Sequence, residues 1–520
     1  MAETTTPAAY YTLLCLAVGV IVLLKLKAIF SRRGAGLNLP PGPWQLPVIG
    51  TMHCLLGALP HHAMRRLAER YGAVMLLRLG HVPAVVVSSP EAAREVMKTH
   101  DAVVSDRPLY ATADILSYGG KNIAFAPSGS RHWKEVRRLC ATELLGPKRV
   151  LSFRPIREAA AASLVRSIAA ASPAAVVNVG ERIKVVMNDI LMRCAVGDTC
   201  PMREEYMAEL DEVLKLLAGF NLVDLFPGSR LARMLGAGSL RAAREVHDRV
   251  HRIVQAIIQD HVSKSKGDDD GDRSSEGGGG RRDDILDVLL RLQRDGGPET
   301  ILTTEVVCAV LSDVFAAGSE TTATKTIWVM SELVKNPGVM QRAQSEVRQV
   351  LQGRAGAVAE ADIQGKLPYL QMVIKETLRL HPPLPLILPR SCAEPIKIMG
   401  YDIPKGTSVF VNAWAIGRDE KSWPDANEFK PERFEDATVD FSGVDFRFLP
   451  GGGGRRMCPG LTFGLANIEI VLANLLYHFD WNLPNGANPC ELDMTEAYGI
   501  TARRKAELLL KAVPLVSIEQ

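Results

Sequence analysis

The sequence predicts a mainly α-helical domain with a minor β region, set behind an N-terminal membrane anchor. Three observations point there. Apolar residues recur at three- and four-residue spacing through most of the 520-residue chain. Strand-like runs are few and short. One uncharged apolar stretch, AAYYTLLCLAVGVIVLL from Ala8 to Leu24, opens the chain.

That stretch has 17 residues, the short limit for a bilayer span. Lys25 and Lys27 can snorkel and extend it toward Phe30, and Arg32 and Arg33 follow. A cleavable signal peptide carries its positive charge before the apolar run, but here the charge comes after. The sequence therefore predicts a transmembrane signal anchor over residues 1–30, with the body in the cytosol. A basic, proline-rich hinge over 31–50 comes next. Its stretch NLPPGPWQLPVIG carries Pro40, Pro41, Pro43 and Pro47, which exclude a regular helix and predict a stiff extended spacer.

The body, residues 51–520, reads as one domain without internal repeats. Helical periodicity covers Pro90–Thr99, Ser130–Leu145, Ile156–Ala171, Met207–Ala218, Ser239–Lys264, Glu305–Lys335, Gly338–Gln352 and Pro368–Leu380. The runs VMLLRLG, AVVVSS, SVFVNAW and AELLLKAV read as strands. Residues 264–284, KSKGDDDGDRSSEGGGGRRDD, have no apolar side chain to bury and predict an exposed flexible loop.

Composition excludes several functions. Basic and acidic residues nearly balance, 61 against 58, leaving no field for nucleic acid. The nine cysteines are scattered and odd in number, with no C-x-x-C, which argues against a disulfide framework or structural zinc. His247 and His251 in HDRVH have the i,i+4 spacing of a zinc-protease helix but lack its glutamate.

Four stretches carry chemistry. In FLPGGGGRRMCPG, residues 448–460, glycines and arginines precede Cys458. No Lys-Ser or Lys-Thr follows the glycines, so a phosphate loop does not fit and a metal-ligating thiolate does. In LSDVFAAGSETTATKTIW, residues 311–328, Gly318, Ser319, Glu320, Thr321 and Thr322 interrupt an apolar helix with a polar, loosened notch. An acid beside a hydroxyl there suits proton delivery to a reacting oxygen species. In RHWKEVRR, Trp133 and Arg137 share a helix face, and both can donate to a carboxylate. In KETLRLHPP, Glu376 and Arg379 stand i,i+3, and FKPERFED presents Arg433; alone, neither decides anything.

Taken in order, LPPGP, W-x-x-x-R, AGSETT, E-x-x-R, PERF and the glycine-rich cysteine loop resemble the cytochrome P-450 superfamily of haem-thiolate monooxygenases. The likeness runs from residue 1 to about residue 512 and is closest to the plant microsomal A-type group, as in RRMCPG, GYDIPKGTSVFVNAWAIGRD and LLYHFDWNLP. The resemblance implies the cytochrome P-450 fold and haem b, with Cys458 as the axial thiolate and only metal ligand. Arg456, Trp133, Arg137 and Arg390 would meet haem propionates, and Gly460 would let the next helix start tightly against the porphyrin. Glu376, Arg379 and Arg433 would form a buried structural triad. Thr321 would steady oxygen at the iron, Glu320 would relay protons, and Gly318 would leave room for O₂.

The resemblance further implies insertion of one oxygen atom into an apolar small molecule, such as a sesquiterpene or diterpene of plant specialised metabolism. Electrons would come from NADPH-cytochrome P-450 reductase, since no G-x-G-x-x-G opens a βαβ unit here. Arg455 would offer charge to that partner. The protein would sit in the endoplasmic reticulum membrane as a single-pass protein, its lipid bilayer contact made by the anchor. Substrate contacts would come from Ser105–Ala124, the region near Phe220, Phe315–Thr321, Leu384–Leu388 and Tyr498–Thr501. An O₂-independent isomerase or dehydratase, a haem sensor and a catalytically silent scaffold remain alternatives. The sequence departs from the family at Gly451, seven residues before the cysteine, where phenylalanine is usual. Phe448 stands three residues too early to replace it, which predicts a more open thiolate face and an altered reduction potential.

Overall fold

The computed structural model describes residues 36–515 and Gly19, apart from breaks at 109, 172–174, 199, 201, 219–220, 270–282, 297–300, 355 and 437. The anchor over 1–30, the first five hinge residues and most of the 264–284 loop lie outside the described residues.

The longer helices are α1 Pro60–Tyr71, α2 Arg131–Leu139, α3 Arg154–Ala169, α4 Val179–Val196, α5 Arg203–Leu217, α6 Ala237–Asp269, α7 Ile285–Asp295, α8 Thr304–Lys335, α9 Pro337–Val350, α10 Pro368–Leu380 and α11 Leu461–His478. Their starts follow local chemistry. The Ser130 hydroxyl accepts from Trp133 N at 3.0 Å and begins α2. Asn178 caps α4, Thr303 caps α8, and Asp284 with Asp287 forms a capping box on α7. The periodicity over Ser130–Leu145 resolves into α2 followed by one wider π turn over Cys140–Leu144. Helices α1, α4, α7 and α11 were not among the periodic segments read from the sequence. Helix α4 is apolar on most of its circumference, so no single stripe marks it.

The strands are β1 Val74–Leu79, β2 Val82–Val87, β3 Val176–Asn178, β4 Arg390–Ser391, β5 Ile396–Ile398, β6 Tyr401–Ile403, β7 Ser408–Val411, β8 Phe479–Asn482 and β9 Leu509–Pro514. One sheet has the order β1-β2-β7-β4, with β2 and β7 parallel; another has the order β3-β9-β8; β5 and β6 form a hairpin. The hinge is not a free spacer where it is described. Leu76 N donates to Pro41 O at 2.8 Å and Thr51 N to Arg78 O at 2.7 Å, so residues 41–51 cover the open edge of β1.

The main core gathers around α8, which packs against α4, α10 and α11. Helices α8 and α11 are long and apolar enough to cross a membrane, but 61% and 72% of their most apolar windows are buried within the domain. They are core helices. A smaller core joins Leu55, Met64 and Leu79 to Leu225, Phe226 and Ala232.

Candidate active site

The glycine run of residues 451–454 has two separate uses. Gly452 and Gly454 adopt φ of 70° and 66°, the left-handed region that glycine tolerates best. A Cβ on Gly454 would also lie 2.4 Å from Met97 O and 2.5 Å from Asp101 Oδ1. The loop is therefore pressed onto Asp101, which accepts from Arg455 N at 2.8 Å. Cys458 N donates to Gly451 O at 2.9 Å, and the Cys458 side chain stands exposed at the turn before α11. Gly460 is the residue preceding α11, and a Cβ there would meet only Leu145, at 3.8 Å.

Gly451 is not in the left-handed region, so its backbone can carry a side chain. A Cβ on it would lie 3.2 Å from Leu461 Cδ2 and 3.4 Å from Cys458 Cβ. A phenylalanine at 451 would therefore lie against the cysteine. Phe448 points elsewhere, packed among Phe434 and Phe441.

Four guanidinium groups converge beside this loop. Arg390 donates to Asp101 Oδ1 at 2.6 Å and to Gly453 O at 2.7 Å, while its buried Nε has no hydrogen-bond partner. Arg456 donates to Ser105 O at 2.7 Å and Ile123 O at 3.0 Å, and lies over the Trp133 ring. Arg137 donates to Met457 O. Trp133 Nε1 donates to Ile123 O at 3.2 Å, so in this structure Trp133 and Arg137 serve backbone carbonyls rather than one carboxylate.

The fourth is Arg107, which sequence reasoning missed. It donates to Leu388 O at 2.6 Å and Pro389 O at 2.9 Å. Burial pushes its pKa well down, and the charges of Arg456 and Arg390 push it further. Burial is also the largest cause lowering Arg456, to about 10. Asp313 on α8 was missed as well. It accepts from Ile123 N at 2.7 Å, Ala124 N at 3.0 Å and Asn122 Nδ2 at 2.7 Å. It thereby holds the loop whose carbonyls receive Arg456. Burial raises its carboxyl to about 6 against those bonds. A lone aspartate in VLSDVFAA was the available signal.

The notch does not loosen α8, which runs unbroken from Thr304 to Lys335. Both threonine hydroxyls bond back to their own helix: Thr321 to Ala317 O at 2.6 Å, Thr322 to Gly318 O at 2.8 Å. Ala317 is exposed in mid-helix although Phe315 and Ser319 beside it are buried. Gly318 faces the other way. A Cβ there would meet Leu191 Cδ1 of α4 at 2.7 Å, so this glycine admits a neighbouring helix. The expectation that it leaves room for O₂ is corrected accordingly. Glu320 accepts from Thr324 Oγ1 at 3.2 Å and pairs with Arg503 Nε at 3.3 Å. Lys325, also on α8, is buried; burial lowers its pKa, and the nearby Cys458 works in the opposite direction.

Away from the loop, Glu376, Arg379 and Arg433 meet. Arg379 Nε and Nη2 donate to the two Glu376 oxygens at 2.6 and 2.7 Å, and Arg433 Nε reaches Oε1 at 3.2 Å. The Glu376 and Arg379 side chains have no exposed surface. His247 and His251 stack on one another beside Tyr118.

The cytochrome P-450 family pattern matches residues 40–510. The chain belongs to the cytochrome P-450 family. It is 47% identical over 501 residues to ent-cassadiene hydroxylase of Oryza sativa subsp. japonica, covering 95% of this chain and 96% of that one. It is 42% identical to premnaspirodiene oxygenase of Hyoscyamus muticus, covering 97% and 98%. A zebra fish cytochrome P-450 structure with progesterone matches with a TM-score of 0.72 and 25% identity, covering 88% of this chain and all of that one. The fold is thus the cytochrome P-450 fold, and the protein is a monooxygenase that uses O₂, a small-molecule substrate and a haem whose iron carries a cysteine thiolate.

The residues present fit that group. A thiol stands exposed at the glycine loop, and an α8 alanine is exposed beside buried neighbours. Four guanidiniums with largely carbonyl partners, one with an orphaned Nε, are a donor set suited to two carboxylates.

A cavity lies beside α1 and the Leu384–Pro389 turn, which touches the glycine loop through Ile387. It is lined by Phe125, Tyr110, Leu216, Leu384, Leu386, Ile387, Phe410 and Ile500, among others. Parts of Ser105–Ala124, Leu384–Leu388 and Tyr498–Thr501 line it, as do Leu216, Leu217 and Ala218 of the region near Phe220; Phe220 itself lies outside the described residues, and Phe315–Thr321 does not reach the lining.

Proposed function

We propose that this chain hydroxylates an apolar terpenoid, a sesquiterpene or diterpene of plant specialised metabolism. The observation that carries this reading is the largely apolar cavity whose wall residue Ile387 packs against Gly452 of the Cys458 loop. Relatives named for ent-cassadiene and premnaspirodiene support the substrate class. Haem, when bound, supplies O₂ activation and oxygen transfer. Cys458 is its thiolate ligand. Arg137, Arg390, Arg456 and Arg107, with the Trp133 indole, hold its propionates. Gly460 keeps the start of α11 close to the ring.

Thr321 gives its hydroxyl proton to Ala317 O, leaving its oxygen lone pairs to accept from a water or reacting group. Glu320 is the proton relay, held by Thr324 and Arg503. Leu384, Leu386, Ile387 and Ile500 orient hydrocarbon by shape and exclude water from it. Glu376, Arg379 and Arg433 stiffen the domain beneath.

Residues 1–30 anchor the protein by a single pass in the endoplasmic reticulum membrane, with the catalytic domain in the cytosol. The exposed Leu56, Leu231, Met234 and Leu235 are chain neighbours of Leu55 and Ala232 in the small core, and with the exposed Trp44 and Val48 of the hinge they offer apolar surface suited to lipid. Electrons come from NADPH-cytochrome P-450 reductase, which meets the exposed Arg455.

The test is the carbon monoxide difference spectrum of the dithionite-reduced full chain in membranes, followed by incubation of terpene hydrocarbons with reductase and NADPH. A far-red Soret band and oxygenated product are expected. A band of neutral-ligand haem that persists with fully folded protein refutes Cys458 ligation. Absence of product across terpene classes, with the far-red band present, refutes the substrate class.

A further inference from the structure

Away from the Cys458 loop, three imidazoles surround one buried carboxylate. Glu496 precedes the Tyr498–Ile500 turn at the cavity wall, and its side chain is only 5% exposed. His61 Nε2 lies 2.6 Å from its Oε2, and His62 Nε2 lies 3.3 Å from the same oxygen. The second contact is outside hydrogen-bond geometry, and that buried nitrogen has no hydrogen-bond partner. His381 Nδ1 stands 3.9 Å from Oε1, also without a hydrogen-bond partner, on a side chain 92% buried.

The His381 tautomer is set from behind. Its Nε2 lies 2.7 Å from Glu332 Oε1, and a carboxylate there requires an N–H. Nδ1 then carries the lone pair, and it faces the Glu496 carboxylate. Glu496 Oε1 accepts from Trp414 Nε1 at 3.2 Å, but His381 Nδ1 has no donor, and a cation or a proton between the two would satisfy it. A carboxylate holding the far nitrogen of an imidazole is also the usual support of a metal-ligating histidine.

The spacing suits a metal. Tetrahedral zinc with bonds near 2.0–2.1 Å sets neighbouring donors about 3.3 Å apart. The His62–Glu496 distance is 3.3 Å, and the donor atoms of His61, His62 and Glu496 all lie within 4.8 Å of one another; His61, hydrogen-bonded to Glu496 at 2.6 Å, has to draw back by roughly 0.7 Å and give up that proton to join the shell. Glu496 and Glu332 face the buried Arg418, which lies over the Trp414 ring at 3.9 Å and donates to Leu380 O; Lys335 also acts on Glu332.

We propose that His61, His62 and Glu496 bind one divalent ion of the zinc class, with His381 Nδ1 or water completing the shell. His62, 36% exposed at its side chain, gives the ion its way in. The ion clips α1 to the turn that borders the cavity, and the proposal is independent of the haem reading.

The test uses the full-length holoprotein without a histidine tag. After dialysis against zinc and then zinc-free buffer, metal is counted per haem and the zinc-edge X-ray absorption is recorded. About one zinc per haem is expected, with nitrogen and oxygen neighbours near 2.0 Å. Glu496→Gln and His62→Gln should each weaken binding at least about tenfold, as loss of a supporting group alone does. His247→Ala, in the stacked pair elsewhere, should leave it unchanged. The carbon monoxide spectrum reports folding of each variant, and His62→Gln, at the cluster's exposed edge, serves if Glu496→Gln does not fold. Zinc at background in the parent overturns the proposal and leaves a proton between His381 and Glu496. Zinc retained equally by His62→Gln and Glu496→Gln overturns it too.

Discussion

Replacing Glu376 by glutamine removes one charge from a place with no exposed surface. The carboxylate now accepts from Arg379 Nε and Nη2, from Arg433 Nε and from Lys430 N, all between 2.6 and 3.2 Å. A glutamine keeps one acceptor and turns an NH₂ toward a guanidinium. Breaking one partner of a buried pair costs about 3–5 kcal/mol, because the remaining charge stays buried. Here the fully buried Arg379 is stranded, although Ala426 O and Glu428 O still accept from it at 2.7 and 3.1 Å. Its hydrogen bonds survive in part while its charge does not find a counter-ion. Against a domain stability of about 5–15 kcal/mol, that loss is large. For a chain of this size it corresponds to a fall of roughly 3–5 °C in unfolding midpoint. Haem Soret absorbance followed on heating at one fixed scan rate measures it, since unfolding of so large a protein is a matter of rate. Haem per chain should fall in parallel. Arg433→Ala should cost less, because Glu376 keeps Arg379 and the Arg433 side chain is already 10% exposed. A Glu376→Gln protein with parental haem content and a midpoint within about 1 °C of the parent would refute the reasoning.

Four further outcomes are expected. Gly451→Phe should lower the haem reduction potential, because a ring over Cys458 excludes water and so disfavours the more negative reduced state; spectroelectrochemistry reads this, and an unchanged or higher potential contradicts it. Lys325→Met should also lower the potential, by removing a buried positive charge near Cys458; a rise would show that the ammonium is neutral or remote. Asp313, raised by burial from 3.8 to about 6, favours the folded state in its protonated form, so its contribution is full below pH 3.8 and is lost as pH rises through 6, by up to about 3 kcal/mol. The neutral Asp313→Asn should therefore gain stability relative to the parent between pH 4 and 7, and parallel stability curves against pH would exclude this. Thr321→Ala should divert electrons to hydrogen peroxide and cut product per NADPH by at least about tenfold, as loss of a proton-positioning group does; unchanged coupling would remove Thr321 from the chemistry.

Legibility followed distance along the chain. The Cys458 loop was readable because its glycines, arginines and thiol lie within thirteen residues, and left-handed backbone at Gly452 and Gly454 is what such a run commonly means. Glu376 and Arg379 were readable as a helical pair, but their burial was not, since PERF is brought to them only by the fold. Arg107 and Asp313 carried no local pattern. Each acts through backbone groups of distant loops, and backbone groups leave no mark in a sequence. Gly318 shows a different limit. A glycine in a helix admits either a ligand or a neighbouring helix, and only the direction of its missing Cβ, here toward Leu191, distinguishes them. The hinge was readable as extended but not as docked, because the edge of β1 that it covers is formed elsewhere in the sequence.

The same residue type is buried in two ways in this domain, and the difference has a chemical reason. Arg379 and Arg433 share a carboxylate, so the charge of the pair is partly cancelled and its field is short-ranged. Arg107, Arg137 and Arg456 instead donate to carbonyls of Ser105, Ile123, Leu388, Pro389 and Met457. A carbonyl satisfies an N–H without neutralising the guanidinium. Those arginines therefore keep their charge and depress one another, as Arg107 does under Arg456 and Arg390. Carboxylate partners throughout would have made the cluster more stable in isolation and less able to receive an anion. Carbonyl partners leave it short of negative charge at the edge of the Cys458 loop, where, on the proposed reading, two propionates would supply it. Haem binding and completion of this part of the core would then be one event, and haem content would serve as a readout of folding for variants in this region.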